Sequence, residues 1–507
     1  MKPDPHTHPP VEIELKLALP TSDPASLARR LVATPVLARR KATRRQLHNV
    51  YYDTPEQALN RQRVALRLRR VGDGAAPTWL QTLKMGGRSD SALSQRGEWE
   101  TPVPGAALSQ VALNATPWAA LDPHGAVFRA LAPCFTTDFE RTTWLVRRRD
   151  GSAVEVALDI GQITAGNQSA PLCELELELL AGPPMALFEV AGQIVRTIAV
   201  MPFTVSKAER GYALAREALD APIHARPPVL TTDLAPPDAA RQVLREMFGQ
   251  FTANLHALRT SDDPEVVHQA RVGWRRLRSA CRLFRPVLAT GAVPPWQELH
   301  PLLAFLGELR DLDVARTETL PPLAEVYAAG HAGRTRAWQA MLQALTRAAS
   351  VQRKAVRYAL EAPAVGAALL AATQWLEGLP PADAAPGPAR AGIEMPLRRW
   401  ARRRIDRLHH RLGTALKDAD SPESRHRARI LAKRLRYGIE ALRPLLPKRQ
   451  AERWHKQALD LQTRIGATRD LAQAAALVAK LDADRGLVEF LRGVVAGQEK
   501  AHREETS

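Results

Sequence analysis

The chain has 507 residues, three cysteines and a formal net charge of +18, with 45% hydrophobic and 24% charged residues. This composition excludes a disordered chain and a disulfide-stapled secreted scaffold, and the length provides for two to four domains with ample cores. The charge is uneven: residues 1–238 hold 27 Lys+Arg against 25 Asp+Glu, a net of +2, which leaves 44 against 28, a net of +16, for residues 239–507.

Lys2–Pro10 is polar and Pro-rich and does not read as a signal segment. Val11–Leu17 then alternates strictly, with Glu12, Glu14 and Lys16 on one face of a strand and Val11, Ile13, Leu15 and Leu17 on the other. Pro24–Leu37 has helical spacing. Ala65–Arg69 again alternates and puts Arg67 and Arg69 together; Trp79–Lys84 brings in Lys84. Arg96–Glu100 groups Arg96, Glu98 and Glu100, and Arg141–Arg147 adds Arg141. Val154–Ile160 sets Glu155 and Asp159 in phase, and Leu172–Leu179 stacks Glu174, Glu176 and Glu178. Turn signals at Gly72–Gly74, Gly86–Gly87, Asp150-Gly151 and Gly166-Asn167 separate these runs, and Pro184–Ile198 is helical.

About eight antiparallel strands are expected, and their charged faces alternate between acidic and basic along the chain. A closed barrel with charged faces inward and apolar faces outward under helices satisfies both sets. Such a lumen has Arg and Lys for phosphate oxygens and clustered carboxylates for a hard divalent cation, the parts of a phosphoryl-transfer site.

The ordered set resembles the CYTH superfamily, the triphosphate tunnel metalloenzymes. Glu12-Ile13-Glu14-Leu15-Lys16 matches its ExExK signature, and Tyr51-Tyr52-Asp53-Thr54-Pro55, Arg67/Arg69, Lys84, Arg96 with Glu98, Asp159, Glu174/Glu176/Glu178 and Ser206-Lys207 follow in order. The resemblance covers about residues 8–216. It implies an eight-stranded antiparallel tunnel in which Arg67, Arg69, Arg96 and Arg141 bind a linear triphosphate. Glu12, Glu14, Lys16, Lys84 and Lys207 would act in catalysis. Glu12, Glu14, Asp159, Glu174 and Glu176 would hold the metal, Mg²⁺ or Mn²⁺, and orient water.

Residues 217–238 form a Pro-rich linker, with Pro222, Pro227-Pro228 and Pro236-Pro237. Beyond it the pattern is helical and contains an internal two-fold repeat, with halves at about 239–380 and 393–500 around an Ala385–Gly392 spacer. His268, Arg271 and Arg275-Arg276-Leu277-Arg278 recur as His426, Arg429 and Lys433-Arg434-Leu435-Arg436. Some 40 residues after each histidine, Gly307-Glu308-Leu309-Arg310-Asp311-Leu312 matches Gly466-Ala467-Thr468-Arg469-Asp470-Leu471. Offsets 0, 3, 7 and 10 fall within roughly 80° of a helix surface, so each copy carries a basic stripe. The uncharged stretch Ala362–Leu376 is broken by Pro363, Thr373 and Gln374 and is shorter than the ~20 residues of a membrane span.

This half resembles the CHAD domain over residues 239–500, an α-helical module that binds inorganic polyphosphate. The resemblance implies contacts from His268, Arg271, Arg275, Arg278, Arg310, His426, Arg429, Lys433, Arg436 and Arg469. The expected whole is an α+β barrel tunnel followed by an all-α helical bundle: a metal-dependent inorganic triphosphatase hydrolysing tripolyphosphate to pyrophosphate and phosphate, with a polyphosphate-binding module. The alternatives are an organic triphosphate hydrolase or cyclase acting on thiamine triphosphate or ATP, or a non-catalytic polyphosphate-binding scaffold. Nucleic acid is disfavoured, since aromatics are 5% of the chain and the stripes hold none before Tyr437. No membrane partner is expected. Cys134, Cys173 and Cys281 suit a reducing compartment, so the expected location is the cytoplasm, with association to polyphosphate granules. On this division residues 1–220 alone would hydrolyse and residues 239–507 alone would bind.

Overall fold

The computed structural model describes residues 11–20, 23–72, 74, 77–85, 91–288, 296–380, 395–417, 421–481 and 483–504. The Gly86–Gly87 turn and the Ala385–Gly392 spacer lie outside them. Two compact units emerge: Met1–Ala221 with Glu361–Glu377, and Pro222–Leu360 with Gly378–Ser507.

In the first unit the period-two runs become strands β1 (Val11–Ala18), β2 (Ala42–Asp53), β3 (Ala65–Val71), β4 (Thr78–Met85), β5 (Leu93–Val103), β6 (Ala132–Arg147), β7 (Ala153–Ala165) and β8 (Gln168–Ala181). They pair antiparallel in the order β5-β4-β3-β2-β6-β7-β8-β1, and β1 pairs with β5 to close the ring. A short β9 (Met201–Pro202) adds to β1. Closure leaves eight strands without a free edge. The register sets opposite charges side by side: Glu12 faces Arg96, Lys16 faces Glu176, Lys84 faces Glu98 and Arg141 faces Asp159.

The outward leucines and valines of β1, β7 and β8 are covered as their period requires. Leu15, Leu17, Val154, Val156, Leu175 and Leu177 form one buried core with Leu27 and Leu31 of α1 (Pro24–Val32) and Leu187, Val190 and Ile194 of α2 (Met185–Ile194). Inside one stretch of the barrel the lumen is apolar instead. Leu47, Phe135, Phe139, Ile163 and Leu172 pack with Tyr212 and Leu214 of α3 (Lys207–Ala215). A Cβ at Gly211 would run into the Phe135 ring, so α3 lies flush against β6.

The other unit comprises α4 (Pro236–Ala257), α5 (Pro264–Phe284), α6 (His300–Val314), α7 (Ala332–Leu360), then α9 (Leu397–Lys417), α10 (Pro422–Leu442), α11 (Lys448–Lys480) and α12 (Arg485–Glu504). Between α7 and α9 the chain forms α8 (Pro363–Glu377). The start of the Pro-rich segment is strapped down: Asn254 of α4 accepts from Ile223 N at 3.0 Å and donates to its carbonyl at 2.9 Å.

α8 does not follow its sequence neighbours. It belongs to the barrel unit, where Leu370, 3% exposed, joins the core under α2. A Cβ at Gly366 would meet the Val200 carbonyl. The stretch weighed as a span is thus a core helix, and no single helix among the described residues is long and apolar enough to cross a membrane. A fragment ending at residue 220 would lack this cover. Leu370→Ala in the full chain is expected to destabilise the barrel unit by about 2–5 kcal/mol. Thermal unfolding checks this; an unchanged melting temperature would mean that α8 contributes nothing to the barrel core.

Candidate active site in the barrel and basic cluster in the helical unit

The barrel lumen holds every residue expected to act there. β1 presents Glu12, Glu14 and Lys16. Arg96 bridges Glu14 at 2.6 Å and Glu12 at 3.4 Å, while Lys84 Nζ lies 2.9 Å from Glu12 and 2.8 Å from Glu98. Lys16 Nζ stands between Glu14 (3.4 Å) and Glu176 (3.7 Å). Burial alone would raise the Glu14 carboxyl, but Lys16 and Arg96 outweigh it and hold it below its usual range. Burial likewise opposes the Lys16 ammonium, yet Glu14 and Glu176 keep it above the ordinary lysine value.

A second cluster lies deeper. Asp159, Glu174 and Glu176 each offer an oxygen, all within 4.8 Å of one another. Arg141 grips Asp159 through Nε (2.7 Å) and Nη2 (2.6 Å) and reaches Glu176 at 2.5 Å. Lys207 Nζ bonds Asp159 at 2.7 Å, Glu176 at 2.9 Å, and Glu174. Its position follows from the helix start: the Ser206 hydroxyl accepts from Glu209 N, and the Glu209 carboxylate accepts from Ser206 N at 2.7 Å. This capping box places Lys207 at the first helical position, where the helix dipole disfavours a cation and only the facing carboxylates offset that. Asp159, Glu174 and Glu176 supply only oxygens, the donor set of a hard divalent cation. Glu174 Oε2 is buried and accepts no hydrogen bond, with Arg210 Nη1 3.7 Å away. Glu12 and Glu14 stand outside this trio; Lys16 joins Glu14 to it, and Arg96 joins Glu12 to Glu14.

Arg67 and Arg69 form the cation-rich side. Arg67 Nη2 lies 3.4 Å from Glu98, and its buried Nε has no hydrogen-bond partner. Arg69 donates to Asn49 at 2.8 Å and lies 3.6 Å from Glu100. Burial, with Arg67 and Arg141 nearby, pushes the Arg69 guanidinium down to about 10. Burial opposes the Arg67 guanidinium, but Tyr51, Glu98 and Glu100 outweigh it and hold it above its ordinary value, so Arg69 is the cation of the pair that is short of anions.

Several lumen residues were given no role by the sequence reading. Asn49 bridges Arg69 and Thr137, Ser94 donates to Glu14 at 3.1 Å, and Arg210 backs Glu174. Buried Tyr51 stacks on Phe135 and hydrogen-bonds Arg67. Burial and the charges of Glu12, Glu155 and Glu98 push Glu178 up to about 7. Asn49 and Tyr51 are in phase along β2, and Ser94 is in phase with Arg96, so strand period was the signal available; residue type concealed them.

In the helical unit, α5 and α10 are both 21 residues long, open on a capping residue followed by proline, and carry His268 and His426 at the fifth position. α5 packs on α10, and α6 on α11. The basic residues of the two stripes meet: Arg271 feels Arg275, Arg310 and Arg469, and Lys433 feels Arg429, Arg275, Arg469 and Arg436. Partial burial and these neighbours push Lys433 down to about 8. The Nε atoms of Arg275, Arg429 and Arg436 are buried without a hydrogen-bond partner. Arg310 is tied to Glu318 at 2.8 Å, and Arg278 stands over the Trp274 ring beside Arg282. Burial and Arg310 lower His268, which favours its neutral form near pH 7.

Comparison with known proteins agrees with this division. A CYTH domain family model matches residues 11–212, and a CHAD domain model matches residues 242–479. An inorganic triphosphatase of Haemophilus influenzae is 33% identical over 203 residues, 40% of this chain and 54% of that protein, so the chain spans about half the length of this curated relative. The crystal structure of the CHAD domain from Ricinus communis is similar at 26% identity and a TM-score of 0.47, covering 55% of this chain and 92% of that one. HpAC1 from Hippeastrum, a structure described as revealing a dominant triphosphatase activity, is similar at 19% identity and a TM-score of 0.28, covering 41% and 95%. The chain carries a CYTH domain over residues 11–212, folded as a closed eight-stranded antiparallel barrel, and a helical CHAD domain over residues 242–479.

Proposed function

We propose that the barrel hydrolyses inorganic tripolyphosphate to pyrophosphate and phosphate, and that the helical unit binds long-chain polyphosphate. The observation that carries the first part is the sorting of the lumen. Arg69 is short of anions and the buried Arg67 Nε has no hydrogen-bond partner, while a carboxylate trio stands inside the same closed ring. A linear polyanion fits the cationic side, and a hard cation fits the trio.

Arg67, Arg69, Arg96 and Arg141 bind and align the phosphate chain, each replacing hydration with charge-assisted bonds. Lys16, Lys84 and Lys207 neutralise charge that develops during transfer. Asp159, Glu174 and Glu176 would hold Mg²⁺ or Mn²⁺, with Glu12 and Glu14 close by; the ion supplies Lewis-acid stabilisation of phosphoryl oxygens. Glu12 and Glu14 orient the attacking water in line with the scissile bond. The metal preference and the preference for an inorganic substrate belong to this proposal.

Turnover of tripolyphosphate, ATP and thiamine triphosphate, each with Mg²⁺ and Mn²⁺, tests it. Tripolyphosphate is expected to give the highest kcat/KM; a preference for an organic triphosphate would replace this reading. Arg67→Ala and Arg69→Ala are each expected to lower kcat/KM for tripolyphosphate by about 10- to 100-fold, the range of a charged hydrogen bond. Kinetics equal to wild type for both would remove β3 from the substrate site.

A further inference from the structure

Lys207 does more than line the lumen. Its ammonium bonds all three carboxylates of the trio, of which Asp159 and Glu174 are buried and Glu176 is partly exposed. A Mg²⁺ ion binds oxygens at about 2.0–2.1 Å. An ion at that distance from Asp159, Glu174 and Glu176 would lie against the ammonium that now bonds them. Two cations cannot share that position in a poorly solvated site. One of the resident cations must leave, and chemistry decides which. Arg141 is a planar fork with three bonds into the cluster, two of them on one carboxylate. Lys207 is a point charge on a flexible four-carbon stem.

We propose that the Lys207 ammonium is the resident counter-ion of Asp159, Glu174 and Glu176, and that a divalent cation enters this trio only by displacing it. This rests on the trio being the metal site. The displaced ammonium stays tethered to the first turn of α3, within the lumen, and becomes available to a phosphate oxygen. Metal loading and cationic contact with substrate are then one event, because the carboxylates release the lysine as they take up the ion. Arg210, 3.7 Å from Glu174, remains behind to support the vacated carboxylate.

The test uses the full chain without any triphosphate. Mn²⁺ titration by calorimetry should show Lys207→Gln binding about 10- to 100-fold more tightly than wild type, and Lys207→Arg no more tightly than wild type. The rise in melting temperature on adding Mn²⁺ should be larger for Lys207→Gln than for wild type. Equal or weaker Mn²⁺ binding by Lys207→Gln would overturn the exchange. Glu174→Gln separates the two ideas: if it abolishes Mn²⁺ binding, the trio is the metal site whatever Lys207 does, and if it leaves binding unchanged, the metal reading fails as well. If Lys207→Gln cannot be recovered folded, the wild-type protein decides. Acetylation of Lys207 by acetic anhydride, read by mass spectrometry, should increase with Mn²⁺; unchanged or reduced labelling would overturn the displacement.

Discussion

Glu14→Gln is expected to cut tripolyphosphate turnover by about 10²- to 10³-fold, the range for removing one preorganised electrostatic group from an active site. The side chain is 3% exposed and accepts from Arg96 at 2.6 Å and Ser94 at 3.1 Å, with Lys16 at 3.4 Å. The amide keeps the shape and an oxygen for Arg96, Ser94 and Lys16, which all bond Oε1, while it removes the charge and makes the other terminal atom a donor. Lys16 and Arg96 retain Glu176 and Glu12 as partners, so neither becomes an isolated buried cation and the barrel stays closed. The stability effect has a defined sign. A carboxyl held below its unfolded value of 4.5 stabilises the fold above that pH, and the contribution is lost as pH falls through the lower folded value. The melting-temperature gap between wild type and Glu14→Gln should therefore be largest near neutrality and close in acid. Near wild-type turnover with Mg²⁺ in a folded variant would refute a catalytic role for β1.

Much of this lumen was legible because a strand has a fixed period. Once Glu12, Glu14 and Lys16 share a face, and Arg67 with Arg69 share another, a closed sheet is the arrangement that satisfies both, and the register bears this out by setting Glu12 beside Arg96 and Lys16 beside Glu176. Period does not name partners across the lumen. That Lys207 would reach the trio depends on where α3 begins, and that is set by Ser206 and Glu209. Helical sections were harder. An apolar helical stripe states that a face is buried but not against what, so α8 read as part of the helical half while its Leu370 completes the barrel core. Within α5, Arg276 is adjacent to the stripe in sequence yet turns inward to Gln250 at 2.6 Å and Glu440 at 3.6 Å, a distinction that residue type could not convey.

Replacing His268, Arg271, Arg275, His426, Arg429 and Lys433 by alanine is expected to weaken long-chain polyphosphate binding by at least about 100-fold, since each charged contact contributes about 1.5–3 kcal/mol. Four of the six are permanent or near-permanent cations at neutral pH. By the counterion-release logic known for single-stranded nucleic acid, the log–log salt slope should lose on the order of 0.7 per cation, roughly 3 in all. Stability should move the other way from an ordinary multiple substitution of core-facing residues. Burial together with neighbouring like charges lowers Arg271, Arg429 and Lys433, so in the free protein this cluster opposes its own charge, and removing it relieves repulsion. The free Lys433 titrates at about 8, and a bound polyanion favours its protonated form. Wild-type affinity should therefore fall as pH rises above about 8, and Lys433→Ala should remove that part of the slope. Short tripolyphosphate turnover should be unaffected by the sixfold variant, because none of its positions lies in the barrel lumen. Binding and a salt slope both equal to wild type would mean that the two stripes are no more than solvated helix faces.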